Sequence, residues 1–501
     1  MHHLLNILIW LPILGGTFVC LIGRDNAPNR SRILSLLTVL ITLALCVPLM
    51  MGFHIDEPGM QYIDYMVWLP SLGIHYSLGI DGLSLLLIVL TGFTNLIVML
   101  ATWKSIHRRV AHYFAALLIM QGLLVGVFAA LDAIVFYVFW EATLIPMYLI
   151  IGIWGSDKRI YAAIKFFLYT FLGSVFMLAA FLYLGFLAGS FHIETFYALK
   201  LSLTAQTLIL VAFFLGFAIK IPMFPVHTWL PDAHTEAPAG GSIVLAAILL
   251  KLGAYGFIRF ALPIVPDACH QYAPLMVALS LIAVVYVGLV AIVQQDVKRL
   301  IAYSSISHMG FVTLGCFAIY AVGTDGNTSL KALVLEGAIF IMFSHAFVSS
   351  AMFAGIGFVY ERLHTRQIKD FGGIVNSMPI FASFFMFFAM ANAGLPGTSG
   401  FVGEFMVILG SMDAGFWIAF WAATTLIIGA AYTLWMYKRV IFGPVANPRI
   451  AELADLDGFE ISAYALLALM VITFGVYPKP MLQYIHQTVA HTLVLADKSK
   501  L

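Results

Sequence analysis

Glu141 stands in the stretch Phe139-Trp140-Glu141-Ala142 and Glu404 in Gly403-Glu404-Phe405, each within a long apolar run. Lys251 is central in Ile248-Leu249-Leu250-Lys251-Leu252-Gly253, and Lys220 directly precedes Ile221-Pro222-Met223-Phe224-Pro225. His308 and His345 lie inside two further apolar segments, while His227 and His234 follow the Pro222/Pro225 pair. An ionised side chain at the centre of a bilayer costs about 2.5–3.5 kcal/mol on insertion scales, so such residues face one another or a wet interior. There, neighbours can move the pKa values of carboxylates and ammonium groups, which can then load and release protons. Imidazole titrates near neutrality and can carry a proton between them, with Ser304, Ser305, Ser307 and Ser344 offering hydroxyl links. The plainer readings are structural ion pairs between helices and, for each lone histidine, a hydrogen-bonded core residue. Two histidines placed among intramembrane lysines and a glutamate favour the relay. Asp132, at the opening of its span, and Lys165, near enough to a span end to snorkel, are auxiliary candidates.

The elements that must position these residues follow from composition. Of 501 residues, 62% are apolar and 10% charged, with 25 Lys+Arg against 24 Asp+Glu. Soluble domains are about 45–50% apolar and roughly 25% charged, so the chain reads as a polytopic membrane protein. Disorder is excluded by the same numbers, and near-neutral charge gives no reason to expect nucleic acid. The apolar runs are continuous over about twenty residues rather than alternating over about ten, which predicts helices and not a β-barrel. An all-α fold of about fourteen transmembrane helices is expected, at 3–22, 33–52, 82–102, 112–130, 132–154, 162–187, 204–234, 240–260, 274–293, 300–321, 333–358, 376–411, 415–437 and 461–478. The first is read as a retained helix, because Met1-His2-His3 carries no positive n-region and no small-residue cleavage site follows.

Basic residues set the orientation. Loops after odd-numbered spans carry Arg24, Arg30, Arg32, Lys104, Arg108, Arg109, Lys158, Arg159, Lys298, Arg299, Arg362, Arg366, Lys369, Lys438, Arg439 and Arg449. The other side has Lys200, Arg259, Lys331, Lys479, Lys498 and Lys500. The positive-inside rule therefore places the odd loops in the cytoplasm and both termini on the opposite, periplasmic side.

Two spans, 204–234 and 376–411, are too long for a hydrocarbon core of about 30 Å at 1.5 Å per residue. Each has breakers in its middle: Pro222 and Pro225 in one, Pro396 and Gly397 within Gly394-Leu395-Pro396-Gly397-Thr398-Ser399-Gly400 in the other. Both read as broken helices. They fall five spans apart, and copies separated by an odd number of spans have opposite topology, the inverted repeat of secondary transporters. The expected units are 1–111 (three spans), 112–260 (a five-helix repeat), 274–437 (its inverted copy) and 438–501 (a loop, the fourteenth helix and a C-terminal tail).

Cys20, Cys46, Cys269 and Cys316 are scattered without a CxxC, and no HExxH or Cys/His cluster stands at metal-ligand spacing. There is no Walker motif, no GxGxxG after a strand, no nucleophile elbow and no pattern demanding haem. No cofactor or metal is expected in this chain, and the driving force for transport must come from elsewhere.

Three stretches carry a resemblance: Phe139-Trp140-Glu141-Ala142-Thr143-Leu144-Ile145-Pro146-Met147, Lys220 through His234, and Gly400-Phe401-Val402-Gly403-Glu404-Phe405. They resemble the antiporter-like proton-conducting membrane subunits of respiratory complex I, a family that includes the large subunits of multi-subunit cation/proton antiporters. The resemblance covers nearly the whole chain. Within the family it is strongest to the M-type subunits of bacterial NADH–quinone oxidoreductase, through the chain length and Glu404, where the L and N types usually carry lysine. It implies a translocase subunit without its own redox centre, with Glu141 paired to Lys220, Lys251 central, His308 and His345 between, and Glu404 ending the relay. On the same resemblance Asp132 matches an acidic position that communicates with the neighbouring subunit. FMN, iron–sulfur clusters and quinone are implied for partner subunits, with subunits L and N as neighbours in an obligate hetero-oligomer of the bacterial inner membrane. The alternatives are a subunit of a Na⁺/H⁺ antiporter complex, or a non-transporting scaffold or quinone-binding anchor.

Overall fold

The computed structural model describes residues 3–23, 27–323 and 328–501; Arg24, one of the orientation markers, lies outside them. The chain runs α1 (Leu4–Ile22), α2 (Pro28–Met51), a hairpin of β1 (Gln61–Leu69) and β2 (Ile74–Ile80), α3 (Gly82–Ala101), α4 (Val110–Ala129), α5 (Ala133–Trp154), α6 (Arg159–Ala188) and α7 (Leu203–Lys220). It continues with α8 (Trp229–Glu236), α9 (Ala239–Ile264), α10 (Pro266–Ile292), α11 (Val297–Ala318), α12 (Thr328–Leu363), α13 (Pro379–Asn392), α14 (Ser399–Ala414), α15 (Phe416–Ile441), α16 (Gly458–Val476) and α17 (Lys479–Ala496). Thirteen of these helices, among the described residues, are long and apolar enough to cross a membrane. The shorter α13 and α14 are the two halves of the span expected at 376–411, so the count of about fourteen holds.

Both expected breaks are present. The first runs from Ile221 to Thr228 between α7 and α8, and the indole of Trp229 donates to the Ile219 carbonyl at 2.8 Å, covering a group that the break frees. The second runs from Ala393 to Thr398, with Gly394 at φ +77° and Gly397 at φ +89°, where a Cβ would be strained. Thr398 Oγ1 donates to the Leu395 carbonyl at 2.7 Å within it.

The layering is radial. In the apolar windows of α9 and α12 every residue is buried, and in α11 94% are, whereas α2 and α16 are only 28% and 22% buried. The three innermost helices are the ones that carry Lys251, His308 and His345. Small residues set their spacing: at Gly403 on α14 a Cβ would come within 2.9 Å of the Ile341 amide and 3.0 Å of the Gly337 carbonyl on α12. Backbones meet there, as small residues allow between membrane helices.

Loops that alternate along the chain gather at two ends. At one end Arg32 reaches the Ile106 carbonyl, Lys104 pairs with Asp457 at 2.7 Å, and Arg366 donates to Ser156. At the other, Asp132 binds the His75 amide and Lys331 pairs with Asp497. Several details differ from the sequence reading. The segment 61–80 is a hairpin, an addition to an otherwise helical fold. The C-terminal tail contains the helix α17. Two basic residues counted as loop markers are instead buried: Arg259 is held by Asp81 at 2.6 Å, and Lys298 donates to the Ala237 carbonyl at 2.6 Å. Arg259 sits at the end of an apolar span and Lys298 at the start of another, where sequence cannot separate a loop charge from an inward one.

Candidate functional site

Lys251 is fully buried in the middle of α9. Two π-helical turns, Leu245–Leu249 and Phe257–Ala261, bracket it. A π turn leaves a carbonyl without its usual i+4 donor and is frequent at functional sites. Here the Ala246 carbonyl accepts from the Lys251 ammonium at 2.6 Å. Sequence periodicity gives no sign of these turns.

From Lys251 a row of polar groups crosses the interior. Lys251 Nζ lies 2.8 Å from His345 Nδ1, and His345 Nε2 lies 3.0 Å from the Ser349 hydroxyl. The His345 and His308 rings are 5.8 Å apart, centroid to centroid. His308 Nδ1 lies 2.8 Å from Glu404 Oε1, and the Tyr432 hydroxyl lies 3.4 Å from His308 Nε2. A cavity of about 10 Å³ opens between His308, Ser344, His345, Asn392 and Glu404, on the scale of a single water. The row therefore reads Lys251, His345, a one-water gap, His308, Glu404.

The contacts admit two proton distributions. With Lys251 as an ammonium, His345 Nδ1 accepts and Nε2–H donates to Ser349. With Lys251 neutral, its lone pair can accept from Nδ1–H across the same 2.8 Å. One proton can thus exchange between the two groups without rearrangement. Ser349 stands 3.2 Å from Ser305 on α11, which in turn donates to the Ile301 carbonyl. Of the candidate hydroxyls, Ser305 joins this branch and Ser344 lines the cavity, while Ser304 and Ser307 bond backbone carbonyls.

Lys220 ends α7 at the first break, where the negative end of the helix dipole favours a cation. Its ammonium lies 5.3 Å from the Trp140 ring and 5.8 Å from the Phe166 ring. The expected Glu141–Lys220 pair is not a direct contact: Lys220 Nζ and Glu141 Oε1 are both buried without a hydrogen-bond partner among the described residues. They interact through space and not as a bonded pair.

The auxiliary candidates separate. Fully buried His234 stacks on Phe353, ring centroids 4.3 Å apart, and neither of its nitrogens has a partner among the described residues. His227 stacks on Phe224 beside the break, away from the row. Lys165 is ion-paired with Asp232 at 2.6 Å, and Arg299 approaches the same carboxylate at 3.4 Å. Asp132 caps α5, accepting from the Ile134 and Val135 amides, and ties it to the β2 hairpin strand through the His75 amide. Ser349, Tyr432, Asp81 and Arg259 are participants or buried polar groups that sequence reasoning missed. Asp81 caps α3 through the Ser84 amide and reads in sequence as nothing more. No group of three His, Cys, Asp or Glu side chains suited to a metal occurs among the described residues.

The family model described as NADH:quinone oxidoreductase/Mrp antiporter, TM, matches residues 130–429, a stretch containing every residue of the row. NADH-quinone oxidoreductase subunit M of Rhodobacter capsulatus is 44% identical over 98% of this chain and 96% of its own length. The chain belongs to the antiporter-like NADH–quinone oxidoreductase subunit M/Mrp family. NADH-ubiquinone oxidoreductase chain 4 of Marchantia polymorpha is 42% identical over 97% of this chain and 96% of its own. Among solved structures, a chain of respiratory complex I from Thermus thermophilus superposes with TM-score 0.88 at 31% identity, covering 99% of this chain and all of that one. A chain of the Mrp complex from Dietzia shares the fold, with TM-score 0.82 at 22% identity, over 97% of this chain and 52% of that one. This member of the family is an all-α polytopic membrane protein with a buried charged network of the kind a proton path requires.

Proposed function

We propose that this chain is an M-type proton-translocating subunit of a bacterial NADH–quinone oxidoreductase, seated in the inner membrane beside subunits L and N. The observation that carries the reading is the row Lys251, His345, His308, Glu404, with donor–acceptor distances of 2.8 Å at both ends and a one-water gap between the rings. The identity of its full-length relatives supports the choice of this complex over a Na⁺/H⁺ antiporter.

In the mechanism, quinone reduction in another part of the assembly alters the charge beside Glu141. Lys220, held by no hydrogen bond among the described residues, responds to that change through space. The altered field around Lys220 drives the Lys251 proton onto His345, across the gap to His308 and onto Glu404, which releases it. Flavin, iron–sulfur and quinone chemistry belongs to partner subunits. Residues 112–260 and 274–437 act as inverted halves, each supplying one broken helix. The loops bearing Lys104, Arg108 and Arg366 face the cytoplasm, and both termini face the periplasm.

The test is Glu404→Gln in the assembled complex. It removes the acid that ends the row while keeping its shape, and NADH-driven proton pumping by membrane vesicles falls at least tenfold. Glu404→Lys is milder, since a lysine at this place can still carry a proton. Undiminished pumping by the Gln variant contradicts the reading.

A further inference from the structure

We propose that this chain holds an anionic phospholipid at the end of the bundle bearing the basic loops. Its phosphodiester headgroup would sit in the cavity between α4, α5, α6, α11 and α12, and its acyl chains would run along the outside of α6. The cavity is about 550 Å³, and Arg108, Arg109, Arg159 and Lys298, with His107, line it against one carboxylate, Glu361. The neighbouring arginines of this face are already neutralised: Arg362 by Glu460 at 2.7 Å, and Arg366 by Asp296 at 3.2 Å and Glu236 at 3.5 Å. Arg108, Arg109 and Arg159 make no ion pair among the described residues. Lys298 is 3% exposed, donates to the Ala237 carbonyl, and likewise has no ion pair there. A buried ammonium with donors to spare, sharing its cavity with three exposed guanidinium groups that make no ion pair among the described residues, suits an anion with several acceptor oxygens.

What lies beside the cavity selects the source of that anion. Ile153 and Ile160, at the junction of α5 and α6, are exposed apolar residues of its lining. From Ile160 an exposed apolar stripe descends α6 at one-turn spacing through Ile164, Leu168 and Leu172. Trp154 marks the interface, its indole donating to the Arg108 carbonyl at 2.7 Å. A phosphate group above and an apolar stripe below match the two ends of one phospholipid, and basic pockets between helices at a membrane face bind such headgroups. Free phosphate has no use for the stripe. An acidic protein segment would answer the charge of the cavity alone.

The experiment uses the whole purified complex, detergent-stripped and then exposed to micelles of phosphatidylglycerol or phosphatidylcholine, with bound lipid counted by native mass spectrometry. The wild type retains phosphatidylglycerol in preference to phosphatidylcholine, and the Arg108→Gln/Arg159→Gln double variant retains it at least tenfold more weakly. Equal retention of the two lipids, or equal retention by the double variant, overturns the proposal. If the double variant does not assemble, photoactivatable phosphatidylglycerol on the wild type decides. Labelling within residues 152–172, competed by unlabelled phosphatidylglycerol, supports the site. Absent labelling, competition by millimolar inorganic phosphate without lipid, or crosslinks from the cavity to a neighbouring subunit each overturn it. Arg159→Lys, which keeps the charge, is expected to bind as the wild type does.

Discussion

His345 bridges Lys251 and the rest of the row, and two substitutions there separate relaying from mere holding. His345→Gln keeps both hydrogen bonds: its amide oxygen can accept from Lys251, and its amide nitrogen can donate to Ser349. His345→Phe keeps the ring shape and loses both. With Lys251 as an ammonium, the 2.8 Å Lys251–His345 bond is charge-assisted in a fully buried place, a class worth about 1.5–3 kcal/mol. The Phe variant therefore destabilises the charged form of Lys251 by that amount, or roughly 10- to 150-fold in its protonation equilibrium. The Gln variant spares most of that cost. It still abolishes the transfer, because an amide cannot take up and pass on a proton, and positioned acid–base groups contribute about 10²–10⁴-fold in rate. Both variants should thus lose at least about tenfold in NADH-driven proton pumping. The assay is quenching of a pH-sensitive dye by inverted membrane vesicles, normalised to assembled complex by NADH–ferricyanide reductase activity. Wild-type pumping by the Gln variant alongside a defective Phe variant would refute the relay and leave His345 as a clamp on Lys251.

Two further outcomes follow from groups outside the row. Asp81→Asn leaves the Arg259 guanidinium buried without the counter-charge now 2.6 Å away, at a cost of up to about 3–5 kcal/mol; the yield and thermal stability of assembled complex fall, while pumping per assembled complex is retained. At the basic face, burial opposes the charged form of Asp457, but the Lys104 ammonium and the Glu460 and Phe459 amides outweigh it and hold its carboxyl below the usual range. The depressed value means that Asp457 stabilises the fold above the ordinary carboxylate pKa of about 4 and that this contribution is lost as pH falls through the lower folded value. Thermal melts of wild type and Asp457→Asn should therefore differ at pH 7 and converge below about pH 4.

What is legible in the sequence is what violates the membrane pattern. Lys251 and Glu404 are visible because no lipid-facing role suits them, and the helix breaks because Pro222, Pro225, Pro396 and Gly397 interrupt runs too long to be single spans. Groups that violate nothing stay hidden. Tyr432 is an ordinary residue of an apolar helix, and only the packing of α15 against α11 aims it at His308, whereas Ser349 stands one turn after His345 on α12 and is merely unremarkable in type. Arg259 and Lys298 stand at span ends, where charge is ordinary, and the turn of the helix alone directs them inward. The hairpin of residues 61–80 does not register as a span because Asp64, Pro70, Gly73 and His75 interrupt its apolar run. The π turns around Lys251 leave no trace in the apolar pattern, because every residue in the apolar window of that helix is buried. The separation of Glu141 from Lys220 is likewise a matter of helix placement, which motif matching cannot supply.

The central claim is that protons cross this chain through Lys251. Lys251→Met replaces the ammonium with an apolar group of nearly the same length in a site with no solvent exposure, so the helix should keep its packing. The decisive measurement is the ratio of protons translocated to electrons transferred by the complex reconstituted in proteoliposomes, both fluxes recorded in one preparation. Proton flux should collapse, taking coupled electron transfer with it or lowering the ratio. An unchanged ratio at an unchanged rate would contradict it.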